Sequence, residues 1–345
     1  MSLNKEFFNR PTNITAKVIC DSISEAGVRL TTLELEYPRF IHSEVMTHRM
    51  LSKNSSSSRA IPVSKMINQI EDNMALPVYW GKNKSGMQAV EEVSKFNEAK
   101  SVLYWERSFN FIKERVNDML NVELHKQVPN RLLEPFQMMK VVITGTEWDN
   151  FFNLRIHPDA QPEICMLAYK IYEAIEDSAP RKLKCGDYHL PYVETEYWGD
   201  EVKYYIFEIS YDDDQSFGMK CEKYLSLEDA IKISAASCAA VSYRTDGMTL
   251  DKADKIFDML INAEVIHSSP FEHLATPIKP KFNELGLVRV NCSESESWED
   301  GVTHRNKQGD LCSGNLRGWL QYRHLLPNNT NWEFDFDKRM ELFND

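Results

Sequence analysis

The sequence predicts an α/β chain, with strands and helices mixed along its length. Three observations predict it. Residues 29–37, RLTTLELEY, alternate apolar and polar side chains, the period of a half-buried strand. Ile164, Leu167, Ala168, Ile171 and Ile175 recur at helical spacing and read as core. Residues 89–122 form a long helical run, with apolar Val93, Phe96, Val102, Leu103 and Phe109 and charges that mark a solvated face.

In chain order, Ala16–Cys20 reads as a first strand and Arg29–Tyr37 as a second, ended by Pro38. Residues 40–51 read as a helix that delivers His48 and Arg49, and Ile61-Pro62 closes the serine run after it. Residues 76–88, with Gly81 and Gly86, read as a loop before the long helix. Asn130-Arg131 precede an apolar turn, and 141–155 is largely apolar and aromatic but ends in Asn153-Leu154-Arg155. Pro162 opens the next helix, in the first turn where its missing N–H costs nothing. Residues 178–214, rich in charge and Tyr, read as irregular and as a boundary or inserted lobe. Ser226 with Asp229 makes an S-x-x-D start for a helix to Ala240. Thr249 starts another, carrying Ala253, Ile256, Phe257, Leu260 and Ile261 on one face. Residues 293–310 read as an exposed polar loop, 314–324 as an amphipathic helix carrying arginines, and the acidic tail from Glu333 as peripheral.

A length of 345 residues fits one large domain or two average ones. The division read here is 1–180, a possible inserted lobe at 181–224, and 225–345. A hydrophobic content of 42% is ordinary for a globular chain with a substantial core. The net charge of −12 argues against a nucleic-acid binder, which needs a basic surface to release counterions. Seven cysteines are scattered without a C-x-x-C pair, so the reading is a reducing compartment, no disulfide framework and no metal. The start of the chain lacks the apolar run of a signal peptide and no stretch is long enough for a bilayer, so the expectation is a cytoplasmic protein.

The chemistry is expected at 48–59, HRMLSKNSSSSR, where two arginines, a histidine, an asparagine and five serines follow an apolar segment. Two readings stand for it. One is a solvated loop with surface arginines. The other is a site for a phosphate and the polar edge of a base, for which Arg supplies a forked donor and Ser and Asn short adaptable ones.

These residues have a family look. His48-Arg49-x-x-Ser52-x-Asn54-x-x-Ser57-x-Arg59 resembles the R-H-R-x-x-S-x-N-x-x-S-x-R signature of the flavin-dependent thymidylate synthases. Asn150-Phe151-Phe152-Asn153-Leu154-Arg155 followed by Ala160-Gln161-x-Glu163-Ile164 resembles that family's N-F-x-x-L-R…A-Q-x-E-I segment. Ala239-Ala240-Val241-Ser242-Tyr243 resembles A-R-V-S-[FY], and 267–273, HSSPFEH, resembles H-x-[ST]-P-F-E-H. In the family the last two segments come first, so the chain looks circularly permuted, as folds with adjacent surface termini tolerate.

The resemblance implies a central mixed or antiparallel sheet flanked by helices, commonly as a homotetramer. It implies C5 methylation of the pyrimidine deoxynucleotide dUMP, with FAD as cofactor and methylenetetrahydrofolate and NADPH as co-substrates. Carried over, Arg155, Ser52 and Arg59 are the candidate catalytic residues, with Ser52 a hydrogen-bond donor because no base is at hand to activate it. The nucleotide falls to Arg59, Arg131, Arg155, Ser57, Ser55, Glu44 and Gln161. Flavin or folate falls to His48, Arg49, Met50, Asn54, Asn150, Leu154, Ser242, Ser269 and Glu272, while His267 and His273 read as helix caps. The sequence departs from the pattern at Thr47, Ser55, Glu44, Thr144-Gly145-Thr146 and Asp159, and Gln321 and Arg323 are candidates to replace the lost groups. The departures leave two alternatives: C5 hydroxymethylation on the same scaffold, or a flavin- or nucleotide-binding protein without turnover.

Overall fold

The computed structural model describes residues 5–86, 89, 91–199, 201–211, 218–242, 248–282, 288–289, 297–330, 332–341 and 343. Strand β1 (Thr15–Ser24) turns through Gly27, whose φ of 76° suits a residue without Cβ, into antiparallel β2 (Arg29–Pro38). A 3-10 turn leads to α1 (His42–Met46), then β3 (Ser52–Ser55), α2 (Val63–Asp72) and the 27-residue α3 (Lys95–Asn121). Then come α4 (Pro129–Leu133), β4 (Met138–Gly145), α5 (Asp149–Arg155), α6 (Pro162–Glu176) and β5 (Arg181–Leu183). The five strands form one mixed sheet in the order β3-β4-β2-β1-β5, antiparallel throughout except for β1 with β5.

Strands β6 (Glu194–Trp198), β7 (Glu201–Tyr211) and β8 (Gly218–Leu225) make an antiparallel three-stranded sheet. Helices α7 (Leu227–Ala239) and α8 (Leu250–Ile261) follow, then a 3-10 turn at Ser269–His273. Short strands β9 (Ala275–Pro277), β10 (Lys281–Phe282), β11 (Val288–Arg289), β12 (His304–Arg305), β13 (Leu311–Ser313), β14 (Leu316–Arg317) and β15 (Trp319–Gln321) come next. Strand β15 pairs with β9, and α9 (Phe336–Glu341) lies near the end.

The period of two splits the central sheet into two buried faces. Leu33, Leu35, Tyr37, Val141 and Ile143 join one core with Ile164, Leu167, Ala168 and Ile171 of α6. Val142 points the other way, into a second core with α7, Phe271 and Leu274. The mixed sheet flanked by helices is therefore as the resemblance implies. No helix among the described residues is long and apolar enough to cross a membrane, and no group of His, Cys, Asp and Glu among them is placed to hold a metal ion.

Several local expectations change. The helix expected over 40–51 is the five-residue α1, and the serine run turns into β3. Its residues 52–55 find partners at 141–144, and tertiary pairing overrides local pattern. The helix expected at 314–324 is instead β14, β15 and a 3-10 turn. Gly314 and Gly318 have positive φ, which breaks a helix, and Trp319 and Gln321 are buried along the β9 edge. Residues 178–214, expected to be irregular, contain β5, β6 and β7, and β6 and β7 join β8 in a three-stranded sheet. Helix α3 begins at Lys95, capped by Ser94 accepting from the Asn97 N–H, and Phe96 is 70% exposed rather than core. Helix α2 was not anticipated. Tyr243 of the A-A-V-S-Y segment and residues 293–296 lie outside the described residues.

Candidate functional site

Helix α5 ends at Arg155, which faces α1 and the turn after it. The Arg155 guanidinium meets the Glu44 carboxylate at 3.0 Å and donates from Nε to His48 Nε2 at 2.8 Å and from Nη2 to Thr47 Oγ1 at 3.4 Å. Accepting at Nε2 requires that His48 be neutral, with its proton on Nδ1. Burial, then the Arg155 and Lys53 charges, hold the imidazole down at about 4, which agrees. The ring packs edge-on against Phe151, centroids 4.8 Å apart. Lys53 donates to the carbonyls of His48 and Leu51, so the α1 turn is tied from below, and burial lowers its ammonium to about 8.

Arg155 stands between two cavities. The larger, about 630 Å³, is walled by Phe40, Tyr79 and Trp105 and carries Glu44, Gln161, Glu163 and Asp159. Glu163 is buried; its carboxylate accepts from Val78 N–H at 2.9 Å and Gln161 Nε2 at 3.0 Å, and burial raises its pKa. The smaller, about 220 Å³, is lined by His48, Arg49, Met50, Glu147, Asn150 and Leu154, with Phe151 beneath. Beside Arg155, the first cavity holds the carboxylates of Asp159 and Glu163 and the Glu44 that Arg155 pairs, whereas the second has Arg49 and a Glu147 that is paired with Arg317 at 2.6 Å. The two cavities therefore differ in the charge they favour.

The remaining signature residues face elsewhere. Ser52 and Asn54 share the face of β3 that turns toward α7, because they pair with Thr144 and Val142. Ser52 Oγ donates to Asn315 Oδ1 at 3.1 Å, and Asn54 Nδ2 donates to the Cys238 carbonyl at 3.2 Å. Ser242 Oγ accepts from Ser57 N–H at 2.7 Å, and Ser58 donates to Glu134. Ser52, Ser56 and Ser58 are buried and Ser55 and Arg59 exposed, so the serine run is an edge strand and its continuation, not a solvated loop. Arg131 is exposed and paired with Glu134 at 2.8 Å. Glu272 is paired with Arg323, and Ser269 is exposed. Arg59 lines neither cavity.

His273 is not a helix cap. It is fully buried, and its Nδ1 bonds Thr144 Oγ1 at 2.7 Å. Thr144 bonds Thr32 at 2.7 Å, Thr32 bonds His189 Nε2 at 2.8 Å, and His189 Nδ1 bonds Ser22 at 2.8 Å.

The four segments singled out in the sequence do meet around β3: its partner β4 leads to α5, Asn54 and Ser57 touch 238–242, and Thr144 touches His273. Sequence reasoning missed Glu147, Tyr79 and Trp105, which enter the site only through long-range packing, and read Asn315 and Arg317 as part of an amphipathic helix rather than as neighbours of the cavity.

The residues of the smaller cavity fit a planar ring system such as a flavin: apolar Phe151, Leu154 and Met50 for its faces, and Asn150, Arg49 and His48 for its polar edge.

No curated protein matches the chain. Two solved structures similar to it are of a UMP/dUMP methylase PolB from Streptomyces cacaoi, one bound with 5-Br UMP and one with 5-Br dUMP. Each is 16% identical, with TM-scores of 0.41 and 0.40, covering 48% of this chain and 89% and 90% of theirs; a likeness at that level carries no inference about fold or chemistry. Residues 28–181 match the family model described as thymidylate synthase complementing protein.

Proposed function

We propose that the protein is a flavin-dependent thymidylate synthase-like enzyme that transfers a one-carbon unit from methylenetetrahydrofolate to C5 of dUMP, with FAD as cofactor and NADPH as reductant. The observation that carries the reading is Arg155. It ends the N-F-x-x-L-R segment inside the family-matched region, and it forms the wall between a nucleotide-sized cavity and a ring-sized one.

When bound, the flavin supplies the hydride. The protein's own residues bind and polarise. Arg155, kept in place by Glu44 and His48, presents donors to a pyrimidine carbonyl, which favours the charge that C5 must develop to attack an electrophile. Asp159 and Glu163 disfavour a phosphate dianion in the larger cavity, and Glu44 already pairs Arg155, so the base edge rather than the phosphate belongs at Arg155 and Gln161. The phosphate then falls to Arg59 and Arg131, with Ser55 and Ser57 near Arg59 in sequence. His48, Arg49, Met50, Asn150 and Leu154 take the flavin ring. The reading also expects a homotetramer, and exposed Phe96, Leu103, Tyr104 and Phe111 on α3 are apolar surface of the kind an assembly covers.

The test is direct. The purified protein is expected to take up FAD, with a flavin absorption spectrum, and to release tritium from C5 of labelled dUMP when methylenetetrahydrofolate and NADPH are supplied. Absence of both flavin uptake and tritium release would overturn the reading. Product analysis separates methyl from hydroxymethyl transfer.

A further inference from the structure

Residues 314–321 lie outside the family-matched segment, yet they touch the signature at several points. Asn315 Nδ2 donates to the Met50 carbonyl at 3.0 Å while its Oδ1 accepts from Ser52 Oγ at 3.1 Å and from Gln321 Nε2 at 3.0 Å. Gln321, buried, also donates to the Glu272 carbonyl at 3.1 Å. Arg317 N–H donates to Thr146 Oγ1 at 3.2 Å, and its Nε reaches Glu147 Oε1 at 2.6 Å. Met50 and Glu147 both line the smaller cavity. The segment is thus bonded to the cavity on the Met50 side and on the Glu147 side.

It is also anchored independently of the cavity. Leu316 and Trp319 are fully buried, Trp319 donates to the Val28 carbonyl at 3.2 Å, and β15 pairs with β9. Gly314, with φ 56°, lets the chain turn between Gln321 and His324 where a Cβ would meet Gln321 Oε1 at 2.5 Å.

We propose that residues 314–321 are a strap that fixes the walls of the smaller cavity, with Asn315 the positioning residue for Met50 and Arg317 the positioning residue for Glu147. The role as a ligand-site device rests on the function proposed above. The placement of the walls does not.

The substitution Asn315→Asp is diagnostic. It keeps an acceptor for Ser52 and Gln321 but removes the donor to Met50, whereas Asn315→Ala removes both. Backbone hydrogen exchange over 48–55 is expected to speed up about tenfold in both variants, one lost hydrogen bond's worth, with α6 unchanged. FAD is expected to bind about tenfold more weakly to both variants while the thermal unfolding midpoint moves little. If Asn315→Asp behaves as wild type while Asn315→Ala does not, the residue acts only through Ser52 and the positioning of Met50 is overturned. Unchanged exchange in both variants overturns the strap. Faster exchange with undiminished FAD affinity overturns its role toward the ligand. If wild type binds no FAD, the functional reading falls and the exchange result alone decides the strap.

Discussion

His189 and His273 are joined through Thr32 and Thr144 into one buried hydrogen-bond chain that crosses the central sheet, with Ser22 at its far end. Each link holds one proton, and each hydroxyl can donate once. Counting along the chain leaves two arrangements. Either both imidazoles carry their proton on Nε2, or both carry it on Nδ1.

The two histidines are therefore expected to show the same tautomer. Nitrogen-15 chemical shifts of the imidazoles check this. Opposite tautomers would break the chain, and Thr32→Val is expected to uncouple the pair.

The same burial makes stability depend on acid. Imidazole ordinarily titrates near 6.5, and burial pushes both His189 and His273 down to about 3. Between those values the unfolded chain binds protons that the folded chain refuses, so stability falls as pH falls. The slope is up to about 1.4 kcal/mol per pH unit for each histidine. Denaturant unfolding at pH 7, 5.5 and 4.5 is expected to show it, and His189→Gln to reduce it. A flat profile would contradict the buried placement.

Arg155→Ala is expected to lower kcat/KM for tritium release from dUMP by about a hundredfold or more. The unfolding midpoint should move little, because the Glu44 pair is partly open to solvent and such pairs contribute little. Arg155→Lys should stay impaired, since an ammonium cannot hold Glu44 and His48 together as the fork does. Full activity in either variant would remove Arg155 from the reaction.

Gly314→Ala is expected to destabilise the fold by about 1–3 kcal/mol, the cost of a left-handed conformation in a residue with Cβ. The close approach of Gln321 Oε1 adds to it. The midpoint of urea unfolding measures this.

Much of the architecture is legible locally. The alternation in RLTTLELEY puts Leu33, Leu35 and Tyr37 in one core, and the spacing of Ile164, Leu167, Ala168 and Ile171 puts α6 against them. Caps work as written: Ser226 opens α7, accepting from the Asp229 N–H. The serine run is the instructive case. Its composition reads as solvated or ligand-binding, yet it enters the sheet as β3 beside β4, and Ser52, Ser56 and Ser58 are buried. A polar strand has no hydrophobic period to betray it, so only its partner reveals it.

The sequence by itself determined that strands and helices mix along the chain, that residues 29–37 and 164–175 each present an apolar face, and that an unusual arginine- and serine-rich run lies at 48–59. These depend on periods and residue chemistry, which neighbours along the chain carry. Tertiary structure alone decided that Arg155 separates two cavities of unlike charge, that Ser52 turns toward Asn315 instead, and that a strap at 314–321 closes on the signature from the other end of the chain. The physical reason is that a hydrogen bond between residues far apart in sequence leaves no periodic trace in either segment, and is set only when packing brings them together.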